Sequence, residues 1–216
     1  MLMKNGIPSF LINSDNRTNI CIICEGYEEY EYLARLKSLG VWSENYSIIL
    51  VNAKGNGNIP ARYQDKFQNG LFEVVFVFCD TEKKPYEQYI DIKRKINEIH
   101  GMGNIADQVI IYANPCTMQI ILSHFQDVNL TTASKRVNAT VIEECTGIKN
   151  YKARMDQLKI LVGQITENNY QEMSARVKLF LDDDTELGSS NFIRLIEYLS
   201  SEHDDWVQNI NKQIGL

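Results

Sequence analysis

The 216-residue chain is 44 % hydrophobic and 23 % charged, with a formal net charge of −6. This is the balance of a folded globular protein with one sizeable core, not of a disordered or fibrous one, and the acidic sum argues against a broad basic surface for duplex DNA, which takes clustered Lys and Arg. No apolar stretch reaches membrane-spanning length and Met1-Leu2-Met3-Lys4 does not open a signal peptide, so the expected address is the cytoplasm, without a membrane partner.

In chain order, residues 1–18 read as a polar approach segment, with a turn at Asn13-Ser14-Asp15-Asn16 and a brief edge strand over 9–12. Residues 19–24 are the first core strand. It runs into Glu25-Gly26, where glycine permits a sharp turn, and then into a helix carried by Tyr30, Leu33, Ala34, Leu36 and Leu39 and stopped by Gly40. Residues 46–53 form a second strand, followed by the loop Lys54-Gly55-Asn56-Gly57-Asn58. A phosphate cradle must be weighed for that loop, but it lacks the G-x-x-x-x-G-K-[ST] spacing, and its glycines also serve a plain strand-to-helix turn. A short helix over 60–68 starts at Pro60, where the missing N–H costs nothing.

The apolar run over 71–79 then breaks into Asp80-Thr81-Glu82-Lys83-Lys84-Pro85. An unbroken β-branched and aromatic run of this kind suits a central strand covered on both faces. A helix over 85–100 with Gly101 as terminator and a strand over 108–113 closed by Asn114-Pro115 complete an alternating series. The fold class is therefore α/β, a doubly wound, mainly parallel four-stranded sheet, and in the order 2-1-3-4 its first and third strands meet at the switch point. Helices follow over 116–125, 134–145, 151–165, 170–181 and 192–214. The expected division is an approach segment at 1–18, an α/β domain at 19–125 and a helical subdomain at 126–216 packed on the sheet as a cap.

Five cysteines is an odd count, and Cys21, Cys24, Cys79 and Cys116 fall in or beside core elements, which reads as reduced packing thiols. Cys21 and Cys24 have C-x-x-C spacing, yet residues three apart on a strand face opposite sides and there is no second pair to complete a zinc cage.

The chemistry is expected where acids follow strands. Glu25 ends the first strand, Glu29 lies in the first turn of the next helix, and Asp80 and Glu82 end the central strand. Ligands of open parallel sheets bind outside the carboxyl ends of the strands, and acids gathered there repel unless a cation lies between them. The expected cofactor is Mg²⁺ or Mn²⁺ held by Glu25, Asp80, Glu82 and Glu29. Glu25 is alternatively free as a proton donor or acceptor, and any of these acids also serves simply as a helix cap. Candidate phosphate contacts are Lys54, Lys83, Lys84 and the basic stretch holding Lys149, Lys152 and Arg154, whose other reading is a helix start facing water. His124, on an apolar helix, reads as a hydrogen-bonded core residue. The run Asp182-Asp183-Asp184-Thr185-Glu186 contains a rival Asp-x-Asp and reads as a solvated helix exit.

Glu25-Gly26-x-x-Glu29 followed by Asp80-x-Glu82 resembles the Toprim signature of topoisomerases, primases and OLD-type nucleases. The segment from Asn114-Pro115-Cys116 to His124-Phe125 is similar to the Asn-Pro-Cys-Phe-Glu-x-Trp-Leu-Leu-Leu-His-Phe stretch of RloB-like proteins, Toprim-related and associated with phage defence, and Gly188 to Ile196 resembles that family's closing helix more weakly. The resemblance implies a Mg²⁺-dependent nuclease acting on DNA or RNA, with Glu25 as general acid or base, Asp80 and Glu82 on the metal, and Gly26, Asn114, Pro115 and His124 around the site. A partner ATPase and a homodimer are compatible with it. Three positions depart from the family: Met118 and Ile120 stand where it carries Glu and Trp, and Glu82 replaces an Asp. The alternatives are a catalytically weakened module that binds nucleic acid or a protein, and a phosphohydrolase or phosphotransferase on small substrates.

Overall fold

The computed structural model describes residues 17–215, so the approach segment, with its expected strand at 9–12, falls almost wholly outside the described residues. Four strands, β1 (Thr18–Cys24), β2 (Tyr46–Asn52), β3 (Val74–Asp80) and β4 (Ile110–Ala113), form one all-parallel sheet in the order β2-β1-β3-β4. β1 pairs with β2 from Thr18↔Tyr46 to Cys24↔Asn52 and with β3 from Ile20↔Val74 to Cys24↔Phe78. Both central strands are buried on both faces, which is why their sequences are continuous apolar runs and not alternating ones.

The connecting helices are α1 (Tyr27–Ser38), α2 (Ile59–Gln68) and α3 (Glu87–His100). With right-handed crossovers this strand order puts α1 on one face and α2 and α3 together on the other. A short helix, α4 (Ala106–Val109), occupies the residues expected to begin the fourth strand, so β4 starts only at Ile110.

The second half is helical throughout: α5 (Met118–Leu122), α6 (Lys135–Thr146), α7 (Met155–Gly163), α8 (Glu167–Val177), α9 (Phe192–Ser200) and α10 (Asp205–Gln213). A single antiparallel bridge, Ala113↔Ser190, is the strand-like pairing it makes with the sheet among the described residues. The helix expected over 192–214 is two helices, broken at Ser201 to Asp204, where Ser201 Oγ accepts from His203 N and so stops the first helix. The helix expected from 151 starts at Met155, and Tyr151 lies in the preceding irregular segment.

Aromatic packing shows what these helices are for. Phe76 stacks on Tyr198 and Trp206, and Phe78 meets Phe192, which in turn touches Tyr32 of α1. α1 alone cannot cover the whole of its face of the sheet, and α9 and α10 supply the remainder of that layer. The sheet and the C-terminal helices therefore share one core. Among the described residues no helix is long and apolar enough to cross a membrane.

Candidate functional site

The carboxyl edge of the sheet is where polar groups gather. Glu25 N donates to Phe78 O at 3.0 Å, extending the β1–β3 pairing one residue past β1, and Asp80 N donates back to Glu25 Oε2 at 2.9 Å. The Glu25 side chain thus reaches across to the end of β3. From the other side Asn56, in the short turn after β2, donates its amide N–H groups to Glu25 Oε1 and Oε2 at 3.0 and 2.8 Å once that amide is oriented to satisfy its neighbours. Gly55 N also donates to Glu25 O at 2.8 Å, so the loop after β2 is tied to the same residue.

Asp80 is fixed from β4. Thr117 N and Oγ1 both donate to Asp80 Oδ1, at 2.7 and 2.8 Å. Thr81 N and Glu82 N donate to Ala113 O and Pro115 O, which holds the exits of β3 and β4 together. Glu82 sits at φ 61, and among the described residues its carboxylate has no hydrogen-bond donor.

Glu29 caps α1, in whose first turn it lies. It is only 3 % exposed and its Oε2 accepts from Gly26 N at 2.8 Å, the helix-capping arrangement expected of an acid in a first turn. Gly26 itself has ordinary extended backbone (φ −140, ψ −160), so it does not serve as a source of unusual turn geometry. A Cβ there would sit 3.4 Å from Glu29 Oε2, ordinary van der Waals contact, so neither backbone nor space demands glycine at this position.

These acids perturb one another. Burial and then the charge of Glu29 raise the Glu25 pKa to about 8, with the Asp80 N–H acting against the shift. Burial, Glu29 and Glu25 raise Asp80 well above the ordinary carboxylate range, and burial and Glu28 raise Glu29. One cation opposes them. Lys135, the first residue of α6, places Nζ 2.6 Å from both Glu28 oxygens, and its charge is felt by Glu25, Glu29 and Asp80. Burial works against the Lys135 charge, but Glu28, Cys116 and Asp80 outweigh it and the ammonium is held strongly protonated.

The strand ends also carry buried polar atoms without a protein partner among the described residues: Asn52 Nδ2 at the end of β2, Thr81 Oγ1 after β3 and Asn114 Oδ1 after β4.

The other sequence candidates lie as follows. Lys54, Lys83 and Lys84 are exposed on the loops after β2 and β3. Lys149, Lys152 and Arg154 are exposed on the segment before α7, with Arg154 paired to Asp156 at 3.0 Å. The buried Tyr151 between them senses the charges of Glu28 and Lys135, so this segment borders the acidic mouth. Asn114 and Pro115, joined by a cis peptide, are structural: Asn114 Nδ2 donates to Tyr86 Oη and Asp184 O. His124 is in the core between Tyr32 Oη at 3.0 Å and Asn169 Oδ1 at 3.2 Å, and burial lowers its pKa to about 4. In the acidic run, Asp184 pairs with Lys93, Asp182 accepts from Tyr112 Oη and Asp183 caps Thr185. Cys21 and Cys24 are buried free thiols, and burial pushes the Cys21 thiol up to about 12.

Lys135, Asn56 and Thr117 are the participants that sequence reasoning missed. Asn56 stands inside the loop weighed as a phosphate cradle and Thr117 inside the Asn-Pro segment, so those two had a signal. Lys135 had none.

The donor set is chemically suited to Mg²⁺, a hard cation that takes oxygen ligands and keeps several waters while binding through one or two carboxylates. Among the described residues Asp80 Oδ2, Glu29 Oε1 and the Glu82 carboxylate are oxygens of these acids without a protein donor. Among the described residues no group of three or more His, Cys, Asp or Glu side chains is placed to hold an ion, so Glu25, Glu29, Asp80 and Glu82 do not form the four-carboxylate set expected from sequence. No family model, curated protein or solved structure matches this chain.

Proposed function

We propose that the mouth at the ends of β1 and β3 is the active site of a Mg²⁺-dependent nuclease, a Toprim-like enzyme of the RloB-like kind that hydrolyses phosphodiester bonds in DNA or RNA in phage defence. The observation that carries this reading is the bond from the Asp80 backbone N–H to Glu25 Oε2, which ties the Glu25 carboxylate to the end of β3 and sets two desolvated acids side by side at the switch point of a parallel sheet. Burying acids together costs stability, and a divalent ion beside them removes that cost.

In this reading Asp80 and Glu82 hold the ion. When bound, Mg²⁺ supplies Lewis acidity and charge neutralisation toward a phosphate oxygen. Glu25, whose pKa burial and Glu29 raise in the metal-free chain, stands beside that position as the proton donor or acceptor. Asn56 and the Asp80 N–H orient the Glu25 carboxyl, and Thr117 orients Asp80. Lys54, Lys83, Lys84 and the segment bearing Lys149, Lys152 and Arg154 supply backbone phosphate contacts on either side, compensating locally for the acidic total.

A second reading is favoured by the buried position of Met118, fully inside the core at the start of α5 where RloB-like proteins carry Glu. A site without that acid, with Lys135 as its internal counter-charge, also suits a module that keeps the fold and only binds nucleic acid or a protein. The test is incubation of the protein with plasmid, single-stranded DNA and total tRNA in Mn²⁺, beside Asp80→Asn. Cleavage lost in the variant supports the nuclease. Cleavage equal in both removes Asp80 from the chemistry, and none in either, with polymer still bound, leaves the binding module.

A further inference from the structure

We infer that Lys135 is the residue of this site that meets a substrate phosphate oxygen, and that Glu28 is the positioning residue that aims it. The inference rests on the reading of the mouth as a phosphodiester site.

Lys135 is poorly placed for a merely structural role. It is the first residue of α6, and a cation at a helix N-terminus is opposed by the helix dipole. Its ion pair with Glu28 joins helices 107 residues apart, and partly buried pairs of this kind return little stability after desolvation. What the pair does achieve is aim. Two of the three ammonium N–H groups are taken by the two Glu28 oxygens, one N–H is left over, and the Lys135 side chain keeps 31 % exposure against 11 % for Glu28. Its neighbours by charge are Asp80, Glu25 and Glu29, the acids of the mouth itself. Lys54, Lys83 and Lys84 are exposed on loops, whereas Lys135 is preorganised by its partner, the condition under which a cation stabilises charge developing on a phosphate most effectively.

The test uses Lys135→Met, Lys135→Arg and Glu28→Gln in the full chain, with melting temperature and circular dichroism to establish folding. Inorganic phosphate binding is read calorimetrically with and without Ca²⁺, Mn²⁺ binding by thermal shift, and cleavage by kcat and KM. Lys135→Met should weaken phosphate binding and lower kcat about 100-fold. It should also tighten Mn²⁺ about tenfold, because a neighbouring positive charge is removed. Lys135→Arg should restore part of the phosphate affinity, and Glu28→Gln should fall between Lys135→Met and the parent. A residue that only supports the fold would lose Mn²⁺ and phosphate affinity together, which overturns the inference, as does unchanged phosphate affinity in Lys135→Met or no phosphate binding by the parent protein. Phosphate binding that depends on Lys135 in a protein that ignores Mn²⁺ sustains the assignment and removes the metal reading alone.

Discussion

Glu25 makes the stability of this protein pH-dependent in a window that can be worked from its surroundings. An exposed glutamate titrates near 4.5, whereas burial and the charge of Glu29 bring Glu25 to about 8. Between these values the folded chain holds a proton that the unfolded chain has released, so stability falls as pH rises and the loss is complete above about 8. Histidines act in the opposite sense: burial holds His124 near 4 against an ordinary 6.5, so unfolding takes up a proton below 6.5 and stability there rises with pH. His100, also lowered by burial, acts in the same direction. At pH 6.5 the unfolded imidazoles are still half protonated, so the histidines offset part of the Glu25 slope up to about pH 7.5, and above that the acids remain alone. From pH 6.5 to 8, one and a half units at about 1.36 kcal/mol each, Glu25 should cost about 2 kcal/mol. Urea unfolding at both pH values in the presence of a chelator measures it. Glu25→Gln should be more stable than the parent at pH 8 and should show a flatter pH dependence; Asp80 and Glu29, whose pKa values are also raised, keep a residual slope. A parent whose stability is flat between pH 6.5 and 8, or a variant with the parent's slope, would refute the claim that these carboxyls are desolvated together.

Two further outcomes follow from the packing. Tyr32→Phe removes the hydroxyl at 3.0 Å from His124 Nε2 and leaves a buried ring nitrogen unpaired, so urea unfolding should show a loss of about 1–3 kcal/mol, and a loss near zero would mean the pair is not formed. Gly188→Ala should destabilise by about 1 kcal/mol or more, since Gly188 sits at φ +79 and a Cβ there would meet Asn129 Oδ1 at 2.6 Å; combining it with Asn129→Ala should recover the steric part and leave the backbone part.

The sheet was legible because its signal is local and redundant. Residues 20–24 and 74–79 are apolar without interruption, as strands covered on both faces must be, and Glu25 and Asp80 follow them directly. Their adjacency follows from the order 2-1-3-4, which a chain of alternating strands and helices makes one of few choices. Where the chain would break was harder to read. The apolar stripe of α9 resumes in α10 almost in phase, and the interruption is made by Ser201, whose hydroxyl stops one helix before another begins. At the site, the acids could be named from their place after strands, whereas Lys135 could not. Its partner lies 107 residues away, and nothing in Ser134-Lys135-Arg136 distinguishes it from a lysine on a solvated helix start. Contacts of this kind are set by how two helices lie on a sheet, and no spacing in the sequence encodes them.

The placement of Lys135 changes what the second half of the chain is for. As a cap it would be an addition to a complete α/β unit, but two observations make it part of that unit. Phe192, Tyr198 and Trp206 cover Phe76 and Phe78 on the face that α1 leaves open, and α6 brings a cation that opposes the acids of the mouth. Removing residues after 125 would therefore uncover the central strand and, in the same step, leave Glu25, Glu28, Glu29 and Asp80 without their internal counter-charge. The core is completed by α9 and α10 and the counter-charge comes from α6, so one half of the chain supplies both and neither is an addition to a finished α/β unit.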